Sequence, residues 1–360
     1  MRITDSIPDK KINSLSSKRL QFLDSIRGIA AFLVLIQHLS GIFLPIITKE
    51  LSYSYISLGQ MGVVAFFLVS GFIIPYSLER SNSIGDFFIN RIFRIYPLYI
   101  FVILMQMGMT YMSIENGIKD IFIINIFLTH IIFIQEYIPF SSIWSENLVL
   151  GSWTLFIEAI WYILIVCLFW LKINHKQLMI SSIAFFSTLI LTSILLDIRF
   201  PFGKFGMLYN CIVGLHIYRW RIGAISAKQF WSILIPTLII ILIGLNCAYG
   251  YFTTSHFSAF SVIISWTGAY AIFAIFYLLR TNNNTCMKML SFTGKISFSV
   301  YLTHFTVTTL LIHFFGNSST FFLLSIGCTF IFSILTYYLI EKPGIFLVKW
   351  IISRKYRVVM

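Results

Sequence analysis

Charge is what this sequence has least of. Only 11% of its 360 residues are Asp, Glu, Lys or Arg, where a soluble domain carries roughly 25%. So few charges cannot wet a globule of this length, which excludes a soluble enzyme, a disordered tail and a DNA-binding domain. Acids are the scarcest, 13 against 26 Lys and Arg, giving a net charge of +13. In a soluble protein that excess would point to nucleic acid. In so apolar a chain it points to loops on the cytoplasmic side of a membrane, and no nucleic-acid partner is expected. The five cysteines (167, 211, 247, 286 and 328) form no CxxC and no Cys/His cluster, so neither a zinc site nor a disulfide framework is supported and no metal is expected. A Walker A loop, GxGxxG, HExxH and the hydrolase elbow are also missing. The N-terminal stretch lacks the short apolar core and A-x-A site of a cleaved signal peptide. No loop is long enough for a separate soluble domain, and no repeat of 20–50 residues is visible.

What is present is apolar: 58% of residues are hydrophobic, and Phe alone occurs 37 times. A spanning helix needs about 20 mostly apolar residues. Runs of this kind lie near 28–47, 57–78, 96–113, 151–171, 177–196, 204–218, 229–247, 257–279, 296–315 and 320–340. None shows the alternation of barrel strands, so the expected fold is all-α, a polytopic transmembrane bundle of about ten spanning helices. With the N-terminus inside, 22 of the 26 basic residues fall on the cytoplasmic side, leaving Lys49, Lys119, Arg199 and Lys204 outside. That bias fixes the orientation, with both termini cytoplasmic. It also implies that the eleventh run, 118–134, is interfacial or re-entrant, because a further crossing would reverse the bias. The expected layout is a cytoplasmic segment (1–21), a transmembrane domain (22–343) and a basic cytoplasmic tail (344–360).

Ionisable side chains deep in a span are costly and mark functional candidates. His38 lies eleven residues after Arg27, close to three helical turns and about 16 Å further on, so the two share a face. Asp24 lies one turn before Arg27. Gly28, Ala30 and Ala31 keep this helix slim, for close packing or for a ligand channel. Glu158 sits six residues into the stretch that opens Trp153-Thr154-Leu155, and a buried carboxylate needs a cation, a donor or a proton. It is of the type that orients a catalytic histidine. His304 follows Lys295 by nine residues, about 13 Å. Ser297, Tyr301 and His304 share one sector, turned to protein or water rather than lipid. For each of these the plainer reading is a hydrogen bond inside the bundle. The second span carries Gly59, Gly62, Ser70 and Gly71, small enough for backbones to meet. An inner loop, Arg91-Ile92-Phe93-Arg94-Ile95-Tyr96-Pro97, offers paired guanidiniums suited to phosphate, or simply positive-inside topology.

In order along the chain, these landmarks resemble the acyltransferase 3 family of integral-membrane acyltransferases. Phe22 to Ala31 leading to His38 is similar to its Arg-x10-His motif. Gly62–Gly71 is similar to GVxxFFxxSG, and Arg91–Pro97 to RxxRIxP. Trp153 to Glu158, Gly294 to His304 and Glu341-Lys342-Pro343 follow. The match departs at Val64, where a polar residue or Pro is frequent, and at Ala159, where a second acid often stands. The chain ends 17 residues after Pro343, as expected of a stand-alone transmembrane form without the hydrolase-like domain that some members carry.

The resemblance implies an O-acyltransferase of a bacterial inner membrane. It would move an acyl group, acetyl first, from cytoplasmic acyl-CoA to a hydroxyl of an envelope or extracellular polysaccharide. The expected catalytic residues are His38, as general base, and Glu158. Arg27, Arg91, Arg94 and Lys295 are expected to hold the donor, with Asp24, Ser70, Trp153, Tyr301 and His304 supporting. Membrane lipid, acyl-CoA and a carbohydrate are the expected partners, and self-association stays open. The competing reading is a proton-coupled sugar or polysaccharide transporter, or a subunit of a polysaccharide synthase.

Overall fold

A computed structural model describes residues 20–112, 123–133, 148–253, 256–280 and 285–357. Among these residues there are helices and no strands. In chain order the α-helices are α1 (Gln21–Phe43), α2 (Pro45–Ser54), α3 (Leu58–Glu79), α4 (Ile84–Tyr111), α5 (Ile123–Ile131), α6 (Trp153–Trp170), α7 (His175–Leu196), α8 (Phe202–Arg221), α9 (Ala227–Asn246), α10 (Ala259–Leu278), α11 (Thr285–Lys295), α12 (Ser297–Phe315), α13 (Phe322–Thr336) and α14 (Lys342–Arg357). Two π-helical turns, Cys247–Tyr251 and Tyr337–Glu341, extend α9 and join α13 to α14.

Helix starts follow from local chemistry. Ser57, Ser83, Asn174, Ser226 and Ser258 each accept a hydrogen bond from a backbone N–H of the first turn they precede. At Asn174 and Ser226 a glutamine three residues on returns the bond, closing a capping box.

Nine segments among the described residues are long and apolar enough to cross a membrane, the last of them running from Ser319 to Tyr356. The fold is therefore an all-α, polytopic helix bundle. The tenth expected span, 204–218, is the 20-residue helix α8, but it falls outside that group. Its surroundings explain this. Most of its residues are buried, Gly206, Asn210 and Gly214 among them, and Tyr270 donates to Asn210 at 2.6 Å. A helix walled by protein needs no lipid-facing apolar surface. Of the run 118–134, residues 118–122 and 134 lie outside the described residues. The described helix α5 is nine residues long, about 13 Å, and so short of the hydrocarbon thickness. Residues 1–19 of the expected N-terminal segment also lie outside.

One sequence expectation needs correction. Arg91 and Arg94 stand on a helix and not in an inner loop, because α4 runs unbroken from Ile84 to Tyr111 with Pro97 inside it. A proline there leaves the Phe93 carbonyl without its helical donor. Gly344 packs against that carbonyl, where a Cβ would stand 2.8 Å from the oxygen and 3.1 Å from the proline ring. The segment after Pro343 is helical and lies in α14. Val348 on it is 1% exposed, and Lys355 and Tyr356 are bonded to Asp86.

The described residues fall into two compact units, Met1–Ser81 with Ile160–Lys295, and Asn82–Ala159 with Ile296–Met360. In the first, α1 packs on α3 and α11, and α3 packs on α8 and α10. Glycines set these distances. A methyl at Gly71 would overlap the Cys211 backbone, one at Gly214 the Leu68 carbonyl, and one at Gly62 would meet the Ala30 carbonyl at 2.5 Å. The foot of α1 is held by Phe22, edge-on to Phe72, Phe273 and Tyr277 at 5.8–6.2 Å between centroids. In the second unit, α12 packs on α13 and α4, and α14 lies along α4.

Candidate active site

The first unit contains Asp24, Arg27 and His38 on one uninterrupted helix, α1. Both Arg27 and His38 are half-buried. The slim stretch between them serves packing. Gly28 faces α11, where a Cβ would stand 2.7 Å from the Leu290 carbonyl, and a methyl at Gly294 would overlap the Asp24 carbonyl. Ala31 and Val34, on the face shared by Arg27 and His38, are 3% and 1% exposed. That face is therefore covered midway. A ligand arm reaching His38 would run beside it, not along an open groove over it.

The turn carrying His38 is fixed by its neighbour. Gln37 donates to the Ser52 hydroxyl at 2.9 Å and accepts the backbone N–H groups of Leu58, at 3.0 Å, and Gly59, at 3.4 Å. One side chain thus ties α1 to α2 and fills two orphan donors at the start of α3. Ser70 is half-buried on α3, one residue before the Gly71 contact. Lys295 is exposed at the end of α11.

The second unit contains the remaining candidates. Gly151 has φ +88°, a left-handed conformation that suits glycine. Tyr301 donates to its carbonyl at 3.1 Å, and Thr154 bonds both that carbonyl and the Tyr301 hydroxyl, at 2.9 and 3.1 Å. This small network sets the entry to α6, which carries Trp153 and, five residues later, Glu158, both half-buried. The Tyr301 hydroxyl therefore serves the turn at Gly151. Tyr301→Phe keeps the ring and removes these bonds. It is expected to cost about 0.5–1.5 kcal/mol, seen as a lower thermal midpoint in detergent with faster hydrogen exchange at 149–155.

The stripe of Ser297, Tyr301 and His304 faces protein, at 0%, 8% and 1% exposure. His304 Nδ1 lies 3.2 Å from the Val300 carbonyl. Since that oxygen can only accept, Nδ1 carries the proton and a neutral ring keeps its acceptor at Nε2. Beside it Ser299 donates to Glu341 at 2.9 Å, and Thr303 meets Ser333 at 3.0 Å. Arg91 on α4 is 7% exposed, with its guanidinium 5.4 Å from the Phe87 ring centre. Arg94 is half-exposed. His38 thus belongs to the first unit and Glu158 to the second.

Sequence reasoning gave no role to two buried acids, Glu79 and Asp86, and took a third, Glu341, only as part of a motif. Glu79 pairs with Arg219 at 2.9 Å and accepts the Tyr218 hydroxyl. Asp86 accepts from Lys355 at 2.9 Å and Tyr356 at 2.5 Å. Glu341 accepts from Ser299. Arg219 and Lys355 had been read as topological charge alone. Tyr218 and Lys355 lie 139 and 269 residues from the acids they bond, and no local pattern signals such a match.

The comparisons with known proteins bear on the ordered motifs. The chain is 24% identical over 365 residues to a Bacillus subtilis (strain 168) protein named "Putative peptidoglycan O-acetyltransferase YrhL", covering 90% of this chain and 55% of that protein. It is 31% identical over 153 residues to an uncharacterized protein of Haemophilus influenzae (strain ATCC 51907 / DSM 11121 / KW20 / Rd), covering 40% of this chain and 60% of that one. The chain thus spans little more than half the length of these relatives. No solved structure matches it. A family model described as an acyltransferase domain, Acyl_transf_3, matches residues 20–338, which hold every motif named above except Glu341-Lys342-Pro343. The chain belongs to the acyltransferase 3 family.

Proposed function

We propose that this protein is a membrane O-acyltransferase that moves an acyl group, acetyl in the first instance, from cytoplasmic acyl-CoA to a hydroxyl of a cell-envelope sugar. One observation carries the reading: Arg27 and His38 stand on a single unbroken helix, in a chain whose family match covers residues 20–338. The B. subtilis relative's name supports an envelope acceptor. The distribution of basic residues supports a cytoplasmic face at the Arg27 end of that helix, the side from which a CoA donor would come.

The chemistry is a single displacement. The acceptor oxygen attacks the thioester carbonyl while the His38 imidazole takes its proton. The C–S bond breaks, and the thiolate of CoA recovers the proton from the imidazolium. An O–H and a C–S bond are exchanged for a C–O and an S–H bond, so no proton is gained or lost overall. Glu158 is kept as the second catalytic candidate, a carboxylate of the type that steadies an imidazolium. Donor phosphates are assigned to Arg27 and Lys295 in the first unit and to Arg91 and Arg94 in the second, since guanidinium forks suit phosphate oxygens.

The decisive assay measures free thiol released from acetyl-CoA by the purified protein, with and without an envelope glycan fraction. Release that depends on both the glycan and His38 supports the reading, and sugar movement without thiol release would replace it with a transporter. Arg91→Ala and Arg94→Ala are each expected to raise the KM for acetyl-CoA about tenfold, the worth of a charge-assisted hydrogen bond, with kcat kept. An unchanged KM would return both to a topological role.

A further inference from the structure

The donor reading leaves α14 and Asp86 without a task, yet the geometry joins both to the arginine segment. α14 touches α4 at two anchor points. At one, the Gly344 backbone lies on the Phe93 carbonyl and the Pro97 ring. At the other, Lys355 and Tyr356 bond the two carboxylate oxygens of Asp86, at 2.9 and 2.5 Å. Gly344 and Lys355 are eleven residues apart, and so are Pro97 and Asp86. Equal spacings read in opposite directions are those of two antiparallel helices rising together at about 1.5 Å per residue. Arg91 and Arg94 lie between the anchors.

Each anchor also answers a local need of α4. Asp86 is 1% exposed and stands in the first turn, where a carboxylate suits the positive end of the helix dipole. Buried there, it needs the partners that α14 supplies. At the other anchor, Pro97 takes a donor from the Phe93 carbonyl, and only a residue without a side chain lets a second backbone come so close. Between them Val348 is 1% exposed, so the strap is also buried at a point midway.

We propose that α14 is a strap holding the arginine-bearing turns of α4 in register for phosphate, and that Asp86 is its positioning residue. This rests on the assignment of Arg91 and Arg94 to the donor. A guanidinium whose helix is fixed at both ends loses less freedom when it closes on a phosphate, and so binds more tightly.

The test is calorimetric titration of the purified full-length protein with CoA and, separately, with pantetheine, which shares the thiol arm and lacks the phosphates. Asp86→Asn is expected to weaken CoA roughly three- to tenfold, within the range of a lost charge-assisted contact, and to leave pantetheine unchanged. Asp86→Glu should recover most of the loss. Should Asp86→Asn fail to fold, Tyr356→Phe serves instead, because it removes one of the two strap bonds to Asp86 and leaves Lys355 as the counter-charge of the buried carboxylate. Arg91→Ala and Arg94→Ala run alongside. If they weaken CoA selectively while both strap variants do not, the strap is overturned and the donor reading stands. If they leave the preference for CoA over pantetheine unchanged, the donor reading falls and takes the strap with it. Equal weakening of both ligands by the strap variants means general loosening of the fold, and also overturns the proposal.

Discussion

His38→Ala is expected to abolish acyl transfer while the protein still accumulates in the membrane. A general base in the transition state contributes typically 10²–10⁴-fold, so thiol release from acetyl-CoA should fall by about that factor, with kcat lost and donor binding kept. His38 can be removed without collapse because its helix is secured elsewhere, at Phe22, at the Gly28–Gly294 crossing and through Gln37. His38→Gln tests the same point more gently, since it keeps polar bulk and cannot accept and return a proton. Turnover retained by either variant would remove His38 from the mechanism. A parallel fall in detergent-extractable protein would make the histidine structural.

The second large effect concerns two glycines that look alike in the sequence. Gly294→Ala should disrupt the fold, because its new methyl would overlap the backbone of Asp24. Neither backbone can step aside as a flexible side chain would, so α1 and α11 must separate. Overpacking of a core costs about 1–3 kcal/mol and occasionally more; the backbone-on-backbone overlap puts this one at the upper end. Gly327→Ala, within α13, meets nothing within 4 Å. It is expected to stabilise by roughly 0.5–1 kcal/mol, because alanine loses less conformational freedom in a helix. Thermal unfolding of the two variants in detergent should move in opposite directions. A common direction would mean that the crossing at Gly294 is looser than described.

These cases show what the sequence makes legible. Long apolar runs, serine caps and the order of motifs are local features, and they identified the helices, the bundle and the family. The Arg27–His38 alignment was legible because helical periodicity alone sets it. Close helix crossings were suggested by Gly62 and Gly71, though not which helices they meet. Helix α4 continues through Pro97, and the carbonyl that the proline orphans lies against Gly344, about 250 residues on, a contact that no local pattern signals. The helix after Pro343 was not legible for a related reason. Glu341, Val348 and Tyr356 recur on one side, but a partner face had to exist before that spacing meant anything. The pairs Glu79–Arg219 and Asp86–Lys355 show how topological counting hides chemistry, since a basic residue assigned to loop charge can also be the counter-ion of a buried acid.

Gln37 has a consequence for how the enzyme turns over. Rotating α1, or sliding it by even a fraction of a turn, would withdraw that amide from Ser52 and uncap α3 at Leu58 and Gly59. At the other end the same movement would drive Gly28 and Gly294 into their neighbours' backbones. The helix is therefore a fixed post. With His38 as the proposed base, donor and acceptor would each come to a stationary imidazole, and any opening that admits one or releases the other would take place in the walls around it. Substrate size would then be limited by how far those walls part, while the alignment of the base stays the same from one turnover to the next.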